Sequence, residues 1–450
     1  MQLELIFNIT PSEDGYTATL DVPAQGASGI ELDSVILQDD TVTIRSAKMQ
    51  MTYTGKITGD SIEGTYKQRV QEYPLKLNKT VKKKPGNTLL PSNEEEFKKL
   101  AAKETGGYNY SVEDYFRTPQ TFAFKLSPNG DHIAYMKRRD SGERDLYLMD
   151  TKTKKESLLK KQEQDLIRGF SWANDERILY LQDKGGDENY HVYGVDINGA
   201  NDKELTPFEG VRVNIIESLK EDKEHIIIQM NKDNPQQEEP YRLNINSGEI
   251  TKLYTVKEGE PPVAGYDFDR EGNLRAISRI VDGVNTELLY KIDGEFKLVK
   301  LTEFGDEFGI SSFNPGSANP DDAYVISNLE GDKIEIQLYD LKKNKKINTV
   351  FSNDTYDVSG MALSKKRNYE IDYFSYTGEK TQIIPVSDTY KKIYNRLKQE
   401  FGDKQFFTVG RTDDESKYMI AVTSDKIVGE YYLYDVEADE VSLLYKLLPH

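Results

Sequence analysis

Four histidines and no cysteine limit the nucleophilic and acid–base chemistry open to this 450-residue chain. A serine nucleophile of the hydrolase kind usually lies in a G-x-S-x-G turn, which presents its hydroxyl to a histidine and an oxyanion hole. The pattern does not occur, and neither of the nearest strings, "GASGI" at 26 and "DVSGM" at 357, has both glycines correctly placed. His132 and His225 fall in predicted strands, His191 begins one, and His450 is the last residue of the sequence. We therefore predict structural or incidental roles for the histidines and no catalytic residue.

One stretch imitates a calcium loop. In "DFDREG", Asp267, Asp269 and Glu271 alternate and Gly272 supplies a turn, but the twelfth position is Ser278 rather than the bidentate glutamate of such loops. A turn between two strands is the preferred interpretation. No H-E-x-x-H zinc helix and no G-x-x-x-x-G-K phosphate loop is present, so the sequence predicts no metal and no cofactor.

Charge and hydropathy exclude several classes of partner. The net charge of −18 argues against nucleic-acid binding, which depends on Lys and Arg. The short run Lys82–Lys84 is interpreted as part of a solvated linker. The sequence contains no run of about eighteen apolar residues, so it predicts no membrane span. Its first residues, "MQLELIFNIT", lack the features of a secretory signal. The compartment stays open: periplasmic or secreted if a signal lies upstream, otherwise cytoplasmic.

The sequence before residue 108 predicts elements of a different kind from those that follow it. Residues 1–80 alternate apolar and polar with period two in short runs such as "YTATLDVP" and "TVTIRSA", which predicts a small antiparallel β-barrel or meander. Because a strand begins almost at Met1, we expect a preceding strand to be missing. Residues 81–107 are predicted as a linker with one short helix, "SNEEEFKKLAAKE", in which Ser92 is the N-cap and Glu95 completes a capping box.

From residue 108 onward the chain repeats itself. Turn sequences followed by apolar strands recur every ~45–50 residues, the spacing of four-stranded propeller blades. The seven turns are "SPNGDHIAYM" at 127, "ANDERILYLQ" at 173, "KEDKEHIIIQ" at 220, "DREGNLRAIS" at 269, "NPDDAYVISN" at 319, "SKKRNYEIDY" at 364 and "TDDESKYMIAV" at 412. The predicted fold is all-β: a seven-bladed β-propeller over 108–450, preceded by the small barrel. Blade 6 is irregular, because "TYKKIYNRLKQEFGD" predicts a helix in place of its outer strand.

These motifs carry a family resemblance. "FAFKLSPNGDHIAYM", "GGDENYHVYGVDING", "DFDREGNLRAIS" and "TSDKIVGEYYLYDVEADEVSLLYKLLPH" resemble the propeller half of the prolyl-oligopeptidase family of serine peptidases, in its acylaminoacyl-peptidase-like branch. Residues 1–80 resemble the lipocalin-like β-barrel module of some bacterial α/β-hydrolases. In the family, a separate α/β-hydrolase domain carries the Ser-Asp-His triad, and no triad is found in this sequence.

The resemblance implies a non-catalytic, substrate-gating part of a peptidase that cleaves short peptides. The implied partners are short peptides and an α/β-hydrolase catalytic domain, in cis or as a separate chain. We expect the chain, as a truncated product or one half of a split peptidase, to be inactive alone. The alternative is a stand-alone propeller scaffold that binds a protein or peptide partner. A glycan-binding surface protein is a weaker option, since no motif supports it.

Strand direction predicts where a catalytic domain would contact the propeller. With four antiparallel strands per blade, the entry, the exit and the loops between second and third strands lie on one face. Charged residues in two of these loops are the substrate-facing candidates: Arg138, Arg139, Arg144, Asp187 and Glu188. For Glu188, a contact with a substrate amine is weighed against a role in the hairpin loop itself, which is preferred.

Overall fold

The computed structural model describes residues 4–12, 15–22, 27–69, 71–80, 93–103, 111–219 and 221–448. The predicted roles of Lys82–Lys84 and His450 therefore fall outside the described residues. The chain divides into two compact units, residues 1–111 and residues 112–450. Each is described by itself.

The first unit is one curled antiparallel sheet of eight strands. They are β1 (Ile6–Ser12), β2 (Gly15–Val22), β3 (Ala27–Glu31), β4 (Ser34–Gln38), β5 (Thr41–Ser46), β6 (Met51–Thr58), β7 (Ser61–Gln68) and β8 (Gln71–Asn78). The order is β1-β2-β4-β5-β6-β7-β8, with β3 paired to β2, so β1 and β8 are the ends of a half-barrel. Alternate residues of the strands face inward, and Ile44 and Tyr53 are fully buried. The predicted antiparallel barrel or meander is confirmed.

The helix after the barrel begins one residue later than predicted. Helix α1 (Glu94–Ala101) has Asn93 as its N-cap, and the Asn93 side chain accepts a hydrogen bond from the Glu96 amide at 2.9 Å. Asparagine caps a helix as well as serine does, and Glu96, rather than Glu95, then stands three residues after the cap. The prediction of a Ser92 cap with Glu95 is therefore wrong by one position. A second short helix, α2 (Val112–Phe116), was not predicted.

The second unit contains seven antiparallel sheets, each built from consecutive strands. Blades 1 and 2 contain β9 (Thr121–Leu126), β10 (His132–Arg138), β11 (Arg144–Asp150), β12 (Glu156–Lys160), β13 (Ile167–Trp172), β14 (Arg177–Gln182), β15 (His191–Asp196) and β16 (Lys203–Glu204). Blades 3 and 4 contain β17 (Val213–Ser218), β18 (His225–Met230), β19 (Glu239–Asn244), β20 (Ile250–Lys252), β21 (Val263–Phe268), β22 (Leu274–Val281), β23 (Asn285–Ile292) and β24 (Glu295–Thr302). Blades 5 to 7 contain β25 (Phe308–Phe313), β26 (Asp322–Ser327), β27 (Glu335–Asp340), β28 (Lys345–Phe351), β29 (Val358–Ser364), β30 (Glu370–Thr377), β31 (Thr381–Pro385), β32 (Gln405–Arg411), β33 (Lys417–Ser424), β34 (Ile427–Asp435) and β35 (Glu440–Lys446). The predicted seven-bladed propeller is confirmed.

The repeated turn follows local backbone chemistry. In blade 1, the Gly130 amide donates to the Ser127 carbonyl at 3.0 Å, and the His132 amide donates to the Ser127 hydroxyl at the same distance. Gly130 has a φ of 76°, which a residue with a Cβ adopts only under strain. The Ser-Pro-Asn-Gly sequence therefore forms the tight turn between β9 and β10.

Blade 6 has three strands and a helix, as predicted. Its sheet is β29-β30-β31, and α3 (Asp388–Phe401) follows where the other blades have a fourth strand. Tyr390, Ile393, Leu397 and Phe401 are buried at helical spacing and pack against strands of blades 6 and 7. The helix therefore covers the side of the sheet that an outer strand covers elsewhere.

Side-chain packing, not strand exchange, joins the first blade to the last. In the part of the chain that the structure describes, every strand of blade 7 comes from β32–β35, and no strand from the start of the propeller completes it. Phe124 of β9 instead packs against Tyr431 and Tyr445 of blade 7, with ring centres 4.7 and 5.2 Å apart.

Among the described residues, no helix has the length and apolar character needed to cross a membrane.

Candidate substrate-facing surface

The two faces of the propeller carry different connections. Because the strands of each blade are antiparallel, successive connections alternate between the faces. We call one face the hairpin face; it carries residues 139–143, 183–190, 231–238, 282–284, 328–334, 378–380 and 425–426, together with the connections between blades. The opposite face, the turn face, carries residues 127–131, 173–176, 219, 221–224, 269–273, 314–321, 365–369 and 412–416. The chain enters β9 and leaves β35 on the hairpin face.

Two arginines oppose each other at the hairpin face of blade 1. Arg138, the last residue of β10, is directly opposite Arg144, the first residue of β11. Both guanidinium groups lie against the same ring: their Cζ atoms are 5.5 and 6.0 Å from the centre of Phe122. The Nε atom of Arg138 is buried and has no hydrogen-bond partner among the described residues.

The third arginine of this loop is used inside the protein. The Nε atom of Arg139 lies 3.1 Å from the carboxylate of Asp145, which is 4% exposed. Asp145 also accepts a hydrogen bond from the Gln162 amide at 2.9 Å, and the Gln162 side chain accepts one from the Arg144 amide at 3.0 Å. Arg139 further donates to the Gln162 carbonyl. This network fixes the hairpin to the connection between blades 1 and 2.

In blade 2, Asp187 and Glu188 occupy the β14–β15 loop. Asp187 accepts hydrogen bonds from the amide and the side chain of Asn189, at 3.0 and 3.1 Å, and these bonds lower its pKa. Glu188 has a φ of 60°, and its amide donates to Asp183 at 3.3 Å, while its side chain is exposed. Both residues are exposed, and Asp187 in addition supports the loop through its bonds to Asn189.

The five candidates thus share one face in neighbouring blades but form two groups. Within the described residues no hydrogen bond or ion pair joins the arginines of blade 1 to Asp187 or Glu188. Their role as substrate-facing residues stays a prediction. Sequence reasoning missed Phe122, Asp145 and Gln162, because only the fold brings these residues to the hairpin.

An ion pair crosses the mouth of the ring on the turn face. Lys223 of blade 3 lies 3.0 Å from Asp413 of blade 7, and the two side chains are 51% and 41% exposed. Blades 3 and 7 are not neighbours, so the pair spans the central opening. The Asn174 side chain donates to the Lys223 carbonyl at 3.1 Å, and the Asp413 amide donates to the Pro128 carbonyl at 2.8 Å. Four blades are thereby connected at this mouth.

The "DFDREG" stretch forms the β21–β22 turn. Asp269 accepts from the Asn273 amide at 2.8 Å and lies 3.5 Å from Arg275, so its carboxylate is used in the turn. Asp267 lines a cavity of about 430 Å³ between the inner strands of blades 4 to 6, and burial raises its pKa to about 6. No group of three or more metal-ligating side chains is found in the part of the chain that the structure describes.

Two of the described histidines, His191 and His225, contact acidic side chains. His191 is buried and contacts Glu204 through Nδ1. Burial raises the pKa of Glu204, but hydrogen bonds from His191 and Lys184 outweigh this effect and lower it. The ring of His225 lies 3.0 Å from Asp222, and Nδ1 of His132 is buried without a partner among the described residues.

Comparison with known proteins gives one curated relative and a shared fold. No family model matches the chain. Dipeptidyl aminopeptidase BIII of Pseudoxanthomonas mexicana is 22% identical over 349 residues, which cover 74% of this chain and 48% of that enzyme. The chain therefore spans about half the length of this relative.

Solved structures of peptidases share the fold at low sequence identity. One comes from an analysis of two prolyl endopeptidases and their inter-domain dynamics; it has a TM-score of 0.50 and 12% identity and covers 78% of this chain and 53% of its own. Prolyl oligopeptidase B from Galerina marginata, bound to a 35-residue hydrolysis and macrocyclization substrate, has the same TM-score and identity and covers 78% of this chain and 52% of its own. The resemblance predicted from the sequence is confirmed, and this chain is similar to the propeller portion of the prolyl-oligopeptidase family.

Proposed function

We propose that this chain is the non-catalytic, substrate-gating part of a prolyl-oligopeptidase-like serine peptidase that cleaves short peptides. The observation that carries the proposal is the strand direction: β9 is entered and β35 is left on the hairpin face. An α/β-hydrolase catalytic domain, in cis or as a separate chain, would cover that face. Peptides bound beneath it would meet the loops of blades 1 and 2.

The ion pair on the turn face supports a route for the peptide. Since Lys223 and Asp413 bridge the central opening, the channel is narrowed at the end remote from the catalytic domain. An exposed pair of this kind contributes only about 0–1 kcal/mol, but it fills the space through which an extended peptide would pass. A side opening at the hairpin face is therefore the route that we favour for short peptides, and exclusion of folded proteins is part of the same proposal.

The five charged candidate residues have different roles in this proposal. Arg138 and Arg144 have no carboxylate partner among the described residues and lie at the hairpin face, where substrates would bind. Glu188 is exposed, so its carboxylate is available to a substrate amine, which is the less preferred of its two roles in the sequence analysis. Arg139 and Asp187 are engaged by Asp145 and Asn189, so they act by holding the two loops in shape.

Hydrolysis assays test the proposal. The purified chain should not hydrolyse peptidyl or acylaminoacyl chromogenic substrates, and the same chain assembled with its α/β-hydrolase domain should cleave a short peptide but not that sequence within a folded protein. Turnover by the chain alone that a serine-directed inhibitor abolishes would overturn the non-catalytic assignment. An assembly that cleaves both substrates equally would overturn the gating role. A chain that holds a partner without any hydrolase would instead be the stand-alone scaffold.

A further inference from the structure

Two like charges face each other in blade 1, and neither forms an ion pair with a described residue. Like charges directly opposite on paired strands repel each other and destabilise the pair. Arg138 and Arg144 nevertheless hold this position, and no carboxylate lies within 4.0 Å of either among the described residues. Their neighbour Arg139, by contrast, lies 3.1 Å from Asp145 and 3.9 Å from Glu143. Acidic residues outnumber basic ones by 77 to 59 in this chain, so the lack of a counter-charge is local to the pair.

Both guanidinium groups are held in place. Each lies against Phe122, within 6.0 Å of the ring centre. The Arg144 backbone is fixed by Gln162, which is itself buried. Such a pair loses little side-chain freedom when it binds a ligand. The Nε donor of Arg138 is buried and has no acceptor among the described residues, so the protein leaves this donor unsatisfied.

We infer that Arg138 and Arg144 form a binding site for a carboxylate of a peptide ligand. Guanidinium groups bind carboxylates through paired, charge-assisted hydrogen bonds, and a carboxylate between two of them would neutralise their repulsion. The inference rests on the proposed function, because the site lies on the hairpin face where peptides would bind. Two sources supply this group: the C-terminal carboxylate of a peptide, or an Asp or Glu side chain within it.

Peptide titrations observed by NMR test the inference with the 450-residue chain. The probes are three short peptides: acetyl-Ala-Ala-Ala with a free C-terminal carboxylate, its C-terminal amide, and the amide of acetyl-Ala-Glu-Ala. The readout is the Nε–Hε resonances of arginine, assigned with Arg138→Gln and Arg144→Gln. We expect the resonances of both arginines to shift with a carboxylate-bearing peptide and not with the all-alanine amide. The other two peptides then identify the source of the carboxylate.

Variants separate a specific site from general charge. Arg138→Gln and Arg144→Gln should each weaken binding roughly ten-fold, the effect of losing a charge-assisted hydrogen bond. Arg270→Gln is the control, because it removes the same charge from an exposed side chain on the opposite, turn face. It should leave the affinity unchanged.

Three results would overturn the inference. If the all-alanine amide binds as tightly as the peptides with a carboxylate, the hairpin face binds peptides but not through a carboxylate, and the proposed function stands. If Arg270→Gln weakens binding as much as Arg138→Gln, the effect is one of net charge. If no peptide binds, the site is absent, and the hydrolysis assays of the assembled peptidase decide the proposed function separately.

Discussion

At the scale of single residues, a buried carboxylate joins blade 6 to blade 7. Asp372 of β30 is fully buried and contacts Arg367 and Arg411, with Nη1 of Arg411 at 2.8 Å. It also accepts a hydrogen bond from the Ser387 hydroxyl at 2.8 Å, and Ser387 is the N-cap of α3. One side chain therefore holds a strand, a neighbouring blade and the start of the helix.

Replacing this carboxylate should destabilise the propeller. Asp372→Asn leaves two arginines with less compensating charge, since Glu415 then remains beside both and Glu370 beside Arg367 alone. We expect the free energy of unfolding to fall by about 3 kcal/mol, measured by urea denaturation. Asp403→Asn, which changes an exposed carboxylate, should cost less than about 0.5 kcal/mol. Equal effects of the two substitutions would contradict the role given to Asp372.

Asp267 should make stability depend on pH. Its pKa of about 6 in the folded protein lies above its ordinary value of 3.8, so the folded state binds more protons between these values. Stability should then fall as pH rises from about 4 to 6. Charged or titratable groups that line the same cavity are Glu217, Asp269, Arg270, Glu271, Arg275, Lys365 and Tyr369.

Asp267→Asn removes this titration. The variant should be more stable than the wild type at pH 7 by on the order of 1–3 kcal/mol, and the difference should shrink towards pH 4. Thermal unfolding across this pH range measures it. A difference that stays constant with pH would show that Asp267 titrates normally.

At the scale of elements, α3 takes the place of an outer strand. Leu397 is fully buried among aromatic side chains of blades 6 and 7. Leu397→Ala should therefore lower the free energy of unfolding by about 2–5 kcal/mol. Lys392→Ala, on the exposed side of the same helix, is the control and should have little effect. A small loss for Leu397→Ala would mean that the helix is not part of the core between these blades.

Local patterns explain which elements were predictable. Strand alternation and the blade repeat are visible in short windows, and α3 is visible because Tyr390, Ile393, Leu397 and Phe401 recur at helical spacing. The N-cap of α1 was missed because Asn93 stands beside Ser92 and both residue types cap helices. The partners of Arg139, at Asp145 and Gln162, could not be predicted, since they depend on packing between a hairpin and an inter-blade connection. For the same reason, the contact of Phe122 with two arginines could not be predicted from the sequence.

At the scale of the whole propeller, the contact between blades 1 and 7 is where the ring closes. Because packing rather than a shared strand holds this contact, Phe124→Ala should weaken it. We expect a loss of about 3–5 kcal/mol and faster hydrogen exchange in both blade 1 and blade 7. Phe374→Ala is the matched substitution: Phe374 is equally buried and stacks on Phe351 at 4.5 Å between blades 5 and 6. The effect of Phe374→Ala should stay within blades 5 and 6. Faster hydrogen exchange confined to blade 1 in Phe124→Ala would contradict the proposed closure.

The claim that the propeller serves a serine peptidase is tested most directly by labelling. The protein is isolated from its source cells under native conditions and treated with a fluorophosphonate probe, which reacts with the active serine of hydrolases. We predict a labelled α/β-hydrolase, on the same polypeptide or bound to the propeller, in a preparation that cleaves short peptides and leaves folded proteins intact. A preparation in which neither the chain nor any bound partner carries a labelled serine would contradict the account.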